Sequence, residues 1–390
     1  MRILTYTTLF PNAATPHHGV FVRHRLRRVV ATGKVEARVV APVRWFPFNY
    51  RIFGEYARFA AAPPYETVDG LPVYHPRYPV IPKFGMNWTP SLLASYSKSA
   101  VKKILAEGFD FDLIDAHYFY PDGVAAAKLK QWLKKPLVIT ARGTDINLIP
   151  QYSKPRKMIL QAAEAADAII TVCAALKDAL VDLGVDDRKV TVLRNGVDLQ
   201  LFQPPRDREQ LRQDLAMRGS TLLSVGHLIK RKGHDLVIKA LVSLPEYQLK
   251  IIGVGEEELA LKSLAKELGV ESRVQFVGAI PQEELCQYYG AADALILASS
   301  REGWANVLLE SMACGTPVVA TPVWGTPEVV ASPEAGVLSQ DRSADALRDA
   351  VKNLFSDYPD RSATRNYAER FSWDATTQGQ LDIFRRLTQS

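Results

Sequence analysis

The chain has little cysteine: Cys173, Cys286 and Cys314 are its three thiols, far apart and without metal-ligand spacing. A disulfide framework and a cysteine-based zinc site are therefore not expected, and a reducing cytoplasm is the simplest compartment. Cys173 has no basic neighbour to activate it and reads as a packing thiol. No apolar run reaches the roughly 18 residues of a membrane-spanning helix. The opening Met-Arg-Ile-Leu-Thr-Tyr soon meets Pro11 and Asn12, so the apolar core and cleavage site of a secretory leader are missing. No Asp-x-Asp pair stands at a strand end, so no metal is expected to hold a substrate. No aromatic–basic readout motif accompanies the positive charge, and nucleic acid is not expected as a partner.

At 390 residues the chain exceeds one ordinary core, and two domains are expected. Its net charge of +6 conceals an asymmetry. Residues 1–170 hold 23 Lys and Arg against 12 Asp and Glu, and the rest hold 25 against 30. The basic half suits anionic partners such as lipid headgroups or a phosphorylated acceptor.

Short buried runs alternate with helical spacing. Arg2–Tyr6, Ala37–Ala41, Leu113–Ala116 and Leu137–Thr140 predict strands; Val20–Ala31, Leu92–Glu107 and Pro155–Ala165 predict helices. From Trp45 to Pro90 the pattern breaks into long loops, with one hairpin at Asp69-Gly70. A second series follows, with strands at Leu222–Val225, Gln248–Ile252, Val274–Phe276, Ala294–Ala298 and Val318–Ala320, and helices including Gly233–Val242 and Glu257–Leu268. Alternation of this kind implies parallel sheets. The turn-rich stretch from Asn195 to Pro205 separates the series. The expected domains are residues 1–195, 196–370 and a last helix, 371–390, packing back on the first. Ligands of such sheets bind beyond the carboxyl ends of the strands, so residues just after strands are the candidates.

One such segment stands out. After Ala294–Ala298 comes Ser-Ser-Arg-Glu-Gly-Trp-Ala-Asn-Val-Leu-Leu-Glu-Ser-Met-Ala-Cys-Gly-Thr-Pro-Val-Val-Ala. Glu302 and Glu310 are separated by seven residues; if the stretch were helical throughout, the two would lie roughly 12 Å apart. That separation suits an extended nucleotide-sugar, with sugar hydroxyls at one carboxylate and ribose hydroxyls at the other. Gly303, Trp304, Ala305 and Asn306 lie between, where a helix start offers free N–H groups to phosphate.

This segment resembles the E-x7-E signature of the retaining, two-Rossmann-domain (GT-B) glycosyltransferases of family 4. The fold the resemblance implies is α/β: two doubly wound Rossmann-like domains facing across an interdomain cleft. It also implies transfer of a sugar from a UDP- or GDP-sugar to a carbohydrate or lipid-linked acceptor, with retention, without metal or other cofactor, in polysaccharide or glycolipid assembly. In the loop Gly226–Gly233, the family carries Arg and Lys on the donor diphosphate. Lys232 matches the second; His227 replaces the first, a departure that puts a mostly neutral ring where a cation is usual. Gly19 matches the glycine at the first domain's helix start, and His117 the strand-end histidine that faces the transferred sugar. Thr140-Ala141-Arg142-Gly143-Thr144-Asp145 is similar to a family segment in which histidine stands at Arg142. There Arg142 would hold a donor or acceptor anion, or simply pair with Asp145. Ile280 is the candidate for backbone contact with the nucleobase. The resemblance therefore casts Glu302, Lys232 and His117 as catalytic.

Two alternatives use the same residues differently: an epimerase or phosphorylase on this fold, or a non-catalytic nucleotide-sugar-binding protein. Arg23, Arg25, Arg27 and Arg28, with the aromatic stretch Phe46, Phe48, Tyr50, Arg51, Phe53, Tyr56, Arg58 and Phe59, raise the expectation of peripheral contact with an anionic membrane.

Overall fold

The computed structural model describes residues 1–46, 50, 55–80 and 85–389, with 55–57 as backbone alone. Phe48, Arg51, Phe53 and the side chain of Tyr56, from the aromatic stretch, lie outside the described residues. The chain forms two compact units: Met1–Leu193 with Ala375–Ser390, and Arg194–Asp374.

The first unit carries β1 (Arg2–Tyr6), β2 (Glu36–Val40), β3 (Val43–Arg44), β4 (Tyr65–Val68), β5 (Leu71–Tyr74), β6 (Arg77–Tyr78), β7 (Leu113–His117), β8 (Leu137–Ala141), β9 (Ala168–Thr171) and β10 (Val190–Val192). Its main sheet runs β10-β9-β8-β7-β1-β2-β5-β4. Every pairing in it is parallel except β4 with β5. The chain leaves β1 toward β2 on one side and later returns beside β1 as β7, so the topological switch point lies between β1 and β7. Runs such as Leu-Val-Ile-Thr-Ala in β8 are buried at every position, as helices on both faces of a parallel sheet require.

Between Trp45 and Pro90 more is built than loops and one hairpin. The hairpin is present as β4–β5, with Asp69 and Gly70 both at positive φ (51° and 79°), the backbone of a type I′ turn. A helix at Glu55–Ala61 and β6, which pairs with β3 just before the stretch, are additions; elements this short carry too little periodicity to be read from sequence. The last helix, Trp373–Thr388, runs into the first unit, where Leu381, Ile383 and Phe384 join the core of Ile3, Val22, Leu26 and Val138.

The second unit contains β11 (Ser220–Val225), β12 (Tyr247–Ile252), β13 (Val274–Gly278), β14 (Ala294–Leu297), β15 (Val318–Ala320) and β16 (Gly336–Leu338). They form a wholly parallel sheet in the order β13-β12-β11-β14-β15-β16. Numbered within the unit this is 3-2-1-4-5-6, the dinucleotide-fold order, with its switch point between β11 and β14. Among the described residues, no helix is long and apolar enough to cross a membrane.

Candidate functional site

The switch point of the second unit lies between the loops that follow β11 and β14. Gly233 brings them together. Its φ is 71°, and a Cβ there would lie 2.2 Å from the carbonyl oxygen of Ala298, so only glycine permits the approach. The Ser300 amide donates to the Arg231 carbonyl (2.8 Å), and Arg342 donates to the carbonyls of both Ala298 (2.9 Å) and Lys230 (3.2 Å). With the backbones laced this way, side chains 70 residues apart meet. Lys232 Nζ donates to Glu302 Oε1 at 2.7 Å, Ser299 Oγ donates to the same oxygen at 2.7 Å, and Arg231 Nη1 approaches at 3.5 Å.

Burial by itself would raise the Glu302 carboxyl. The Lys232 ammonium and the Arg231 guanidinium outweigh it, and the group is held below its ordinary value. Glu302 is therefore an ionised carboxylate whose Oε1 is held by Lys232, Ser299 and Arg231. Arg231 is steadied in turn by the Arg301 carbonyl (2.8 Å).

The helix carrying Glu310 begins only at Asn306. Neither a capping side chain nor an acidic residue occupies its first turn, which leaves the positive end of its dipole open to an anion. The indole of Trp304 is buried and packs 6.0 Å from the Phe371 ring, anchoring the loop that presents Gly303 and Ala305. Glu310 itself is buried. Tyr289 Oη donates to its Oε2 (3.0 Å), and Gln282 Nε2 donates to its Oε1 (3.2 Å). Burial pushes this carboxyl up to about 7 against the pull of those two donors. Both donors come from the helix Gln282–Ala291, which starts two residues after Ile280. Lys232 and His227 share the loop after β11, but His227 is exposed while Lys232 turns inward.

In the first unit the switch point is occupied by buried polar groups. His117, the last residue of β7, is fully buried. Its Nδ1 accepts from Arg142 Nη2 (2.7 Å), and its Nε2 donates to Asp115 Oδ2 (3.1 Å), the tautomer that an obligate guanidinium donor imposes. Burial drives the imidazole down to about 4, so it is neutral. Asp115 Oδ2 also accepts from Gln380 Nε2 (3.3 Å), whose own Oε1 accepts from Arg25 Nε (2.7 Å). Both ring nitrogens thus serve this network.

Asp145 accepts from the backbone amides of Phe119 (2.6 Å), Gly143 (2.7 Å) and Arg142 (3.1 Å). It ties the loop after β7 to the loop after β8. At Gly19 a Cβ would lie 2.2 Å from the Leu9 carbonyl, and its φ is 67°. The close approach it permits is between two stretches of this chain's own backbone.

Of the residues singled out in the sequence, the structure gathers Lys232 and Glu302 at one switch point and His117, Arg142 and Asp145 at the other. Arg231, Ser299, Gln282 and Tyr289 were not singled out. Arg231 lay in plain view in the Lys-Arg-Lys run; the other three carry no local signal, because only the fold brings them to their carboxylates.

Residues 56–201 match the family described as Glycosyltransferase Family 4, and residues 206–371 match the one described as Glycosyl transferases group 1. A D-inositol 3-phosphate glycosyltransferase of Corynebacterium aurimucosum is 30% identical over 322 residues, 76% of each chain. A Bacillus subtilis glycosyltransferase provisionally named for teichuronic acid biosynthesis is 28% identical, covering 90% of this chain and 88% of that one. Among solved structures, a sucrose-phosphate synthase of Thermosynechococcus elongatus aligns with a TM-score of 0.82 at 22% identity, covering 99% of this chain and 98% of that one. Anabaena HepE, solved in complex with UDP-glucose, aligns with a TM-score of 0.73 at 20% identity over 99% of both chains. The architecture is thus the expected α/β one, of the GT-B type.

Proposed function

The chain belongs to the family 4 (group 1) glycosyltransferases, enzymes of nucleotide-sugars, and from that premise we propose that it moves a hexosyl unit from a UDP- or GDP-sugar to a carbohydrate or lipid-linked acceptor, with retention and without metal. In this reading the second unit holds the donor and the first receives the acceptor. The observation that carries it is the Lys232–Glu302–Ser299 cluster at the second unit's switch point, where an open-sheet fold places its ligand.

Each group then has a task. Lys232 and the amides from Gly303 to Ala305 face the diphosphate and offset the charge that grows on it as the glycosidic bond breaks. Because one cation and a helix terminus lie together there, no divalent ion is needed. Glu302, ionised and held at Oε1 by Lys232 and Ser299, accepts from sugar hydroxyls and fixes the anomeric carbon. The acceptor hydroxyl attacks on the face the phosphate leaves, and the departing phosphate takes the proton. Glu310 accepts from the ribose hydroxyls, Ile280 offers its backbone to the base, and His227 lies at the rim of the phosphate loop. His117 and Arg142 shape the acceptor side. The relatives named for D-inositol 3-phosphate and teichuronic acid, and HepE with UDP-glucose, suggest an anionic acceptor and a uridine donor.

A thermal-shift panel of UDP, GDP and ADP tests this. One of the three should raise the melting temperature of the native protein, equally with and without EDTA, and its sugar conjugates should release nucleotide when acceptors are added. A shift abolished by EDTA would remove the metal-independent part, and no shift with any nucleotide would remove the donor site.

Peripheral membrane contact belongs to the same proposal. Arg27 is exposed on its helix, and Trp45 and Tyr50 are 52% and 66% exposed. Flotation with vesicles rich in anionic lipid should carry the protein upward at low salt and release it at high salt. Equal flotation with neutral vesicles, or none, would dismiss it.

A further inference from the structure

The Glu310 carboxylate meets two donors before any ligand is considered, and both come from a single helix. Tyr289 is fully buried, with its ring edge-on to Phe202 at 6.0 Å, so its hydroxyl has one place to point. Gln282 opens the same helix two turns away. One takes Oε2 and the other Oε1. An ionised carboxylate offers about four lone-pair sites, so each oxygen keeps one direction for a second donor. Two remaining directions on two oxygens match the pair of hydroxyls on a ribose.

We propose that Tyr289 and Gln282 are positioning residues that hold the Glu310 carboxylate, one oxygen each, to receive the 2′- and 3′-hydroxyls of the donor's ribose. The inference rests on the reading of Glu310 as the ribose-binding group. It goes beyond that reading by assigning the hold to a second helix, and it carries a pH consequence.

The sign of that consequence follows from which form each partner favours. A hydroxyl and an amide N–H donate to the carboxylate and favour its ionised form; burial opposes them and leaves the group near 7. Protonation replaces one acceptor direction with an O–H, and the two ribose hydroxyls can no longer both donate. Nucleotide affinity therefore falls as pH drops through about 7. Tyr289 is itself pushed up by burial and by Glu310, so it remains a donor throughout. Cys314, on the turn after Glu310, is a further titratable neighbour. From the helix Arg361–Glu369, packed against the Glu310 helix, Arg361 is directed to the Gly290 and Cys314 carbonyls and Arg365 to those of Phe202 and Ala313. No cation among them is bonded to Glu310.

Isothermal titration of the native protein and Tyr289→Phe with whichever of UDP, GDP and ADP binds tightest, from pH 6 to 9, tests the assignment. The nucleotide's own phosphate titration is common to both proteins. The variant should lose affinity already at higher pH, its midpoint moved up by about 1–2 pH units, the size of a hydrogen bond to a charged group. It should recover toward the native affinity at the alkaline end. Gln282→Leu should shift the midpoint in the same direction and serves if Tyr289→Phe does not fold. The 2′-deoxy form of the nucleotide should show a weaker pH dependence with the native protein. An unchanged profile in both variants, or an equal loss at every pH, overturns the inference. Glu310→Ala separates the two levels: if it binds nucleotide as the native protein does, the ribose reading itself fails. If it loses binding while Tyr289→Phe keeps the native profile, only the positioning fails.

Discussion

Glu302→Gln should reduce sugar transfer by about 10²–10³-fold, the usual cost of losing one preorganised electrostatic contact to a transition state, while the protein stays folded. The substitution keeps the shape of the side chain and an oxygen for Ser299, but it removes the charge that Lys232 and Arg231 face. Lys232→Ala should cost at least as much, and for a different reason. In the proposed reading it takes away the ammonium that meets the leaving diphosphate, and Glu302 keeps Ser299 and the more distant Arg231. The steady-state parameters should differ accordingly. Lys232→Ala should raise the donor KM and lower kcat, whereas Glu302→Gln should act mainly on kcat, since its contact strengthens as the anomeric carbon reacts. Breaking a buried pair is also destabilising, so melting curves accompany the rates. Near-native transfer by a folded Glu302→Gln protein would withdraw the central assignment. If both variants melt early and their rates recover on cooling, the pair is a structural staple only.

The second large effect concerns stability. Asp115→Ala should destabilise the first unit by about 3–5 kcal/mol, the range for removing one partner from a buried ionic network, a fall of roughly 10 °C in melting temperature. Asp115 is fully buried in β7 and accepts from His117 and Gln380. Arg25, also buried, is already brought down to about 10 by desolvation, against which Asp115 acts. Removing Asp115 leaves Arg25 and Arg142 facing a neutral His117 with less compensation. Asp115→Asn retains the shape and an acceptor, and should fall between. A melting temperature within 2–3 °C of the native protein, about 1 kcal/mol, would mean that water or a rearranged partner replaces the carboxylate.

Much of the fold was legible because parallel strands are continuous apolar runs. Arg2–Tyr6 and Val318–Ala320 are strands with the boundaries their composition suggests, and Val20–Ala31 is a helix with the expected ends. Ala168–Thr171 is just as apolar but only four residues long, and it follows directly on a helix, so period alone does not separate it. β3 and β6 have no pattern to read, since two residues define no alternation. The same division runs through the site. Glu302, Glu310 and Lys232 stand in motif spacing and could be named. Tyr289 and Gln282 meet Glu310 across 21 and 28 residues, and nothing near them in sequence marks them. For His117 the position was legible and the surroundings were not. The resemblance sets its ring toward a sugar; in the fold Arg142, Asp115 and, through Asp115, Gln380 meet that ring. A buried network of this kind is assembled from four distant segments, and its existence depends on the tertiary fold.

The contact between Arg25 and Gln380 spans 355 residues, and that separation sets an order of events during synthesis. The second unit is one uninterrupted stretch, Arg194–Asp374, whereas the first resumes only at Ala375. On the ribosome, where domains generally fold as they emerge, the unit begun first is therefore the one completed last. Until the closing helix arrives, the nascent first unit keeps a guanidinium without its amide and an apolar slot without Leu381 and Phe384. That interval spans translation of the whole second unit.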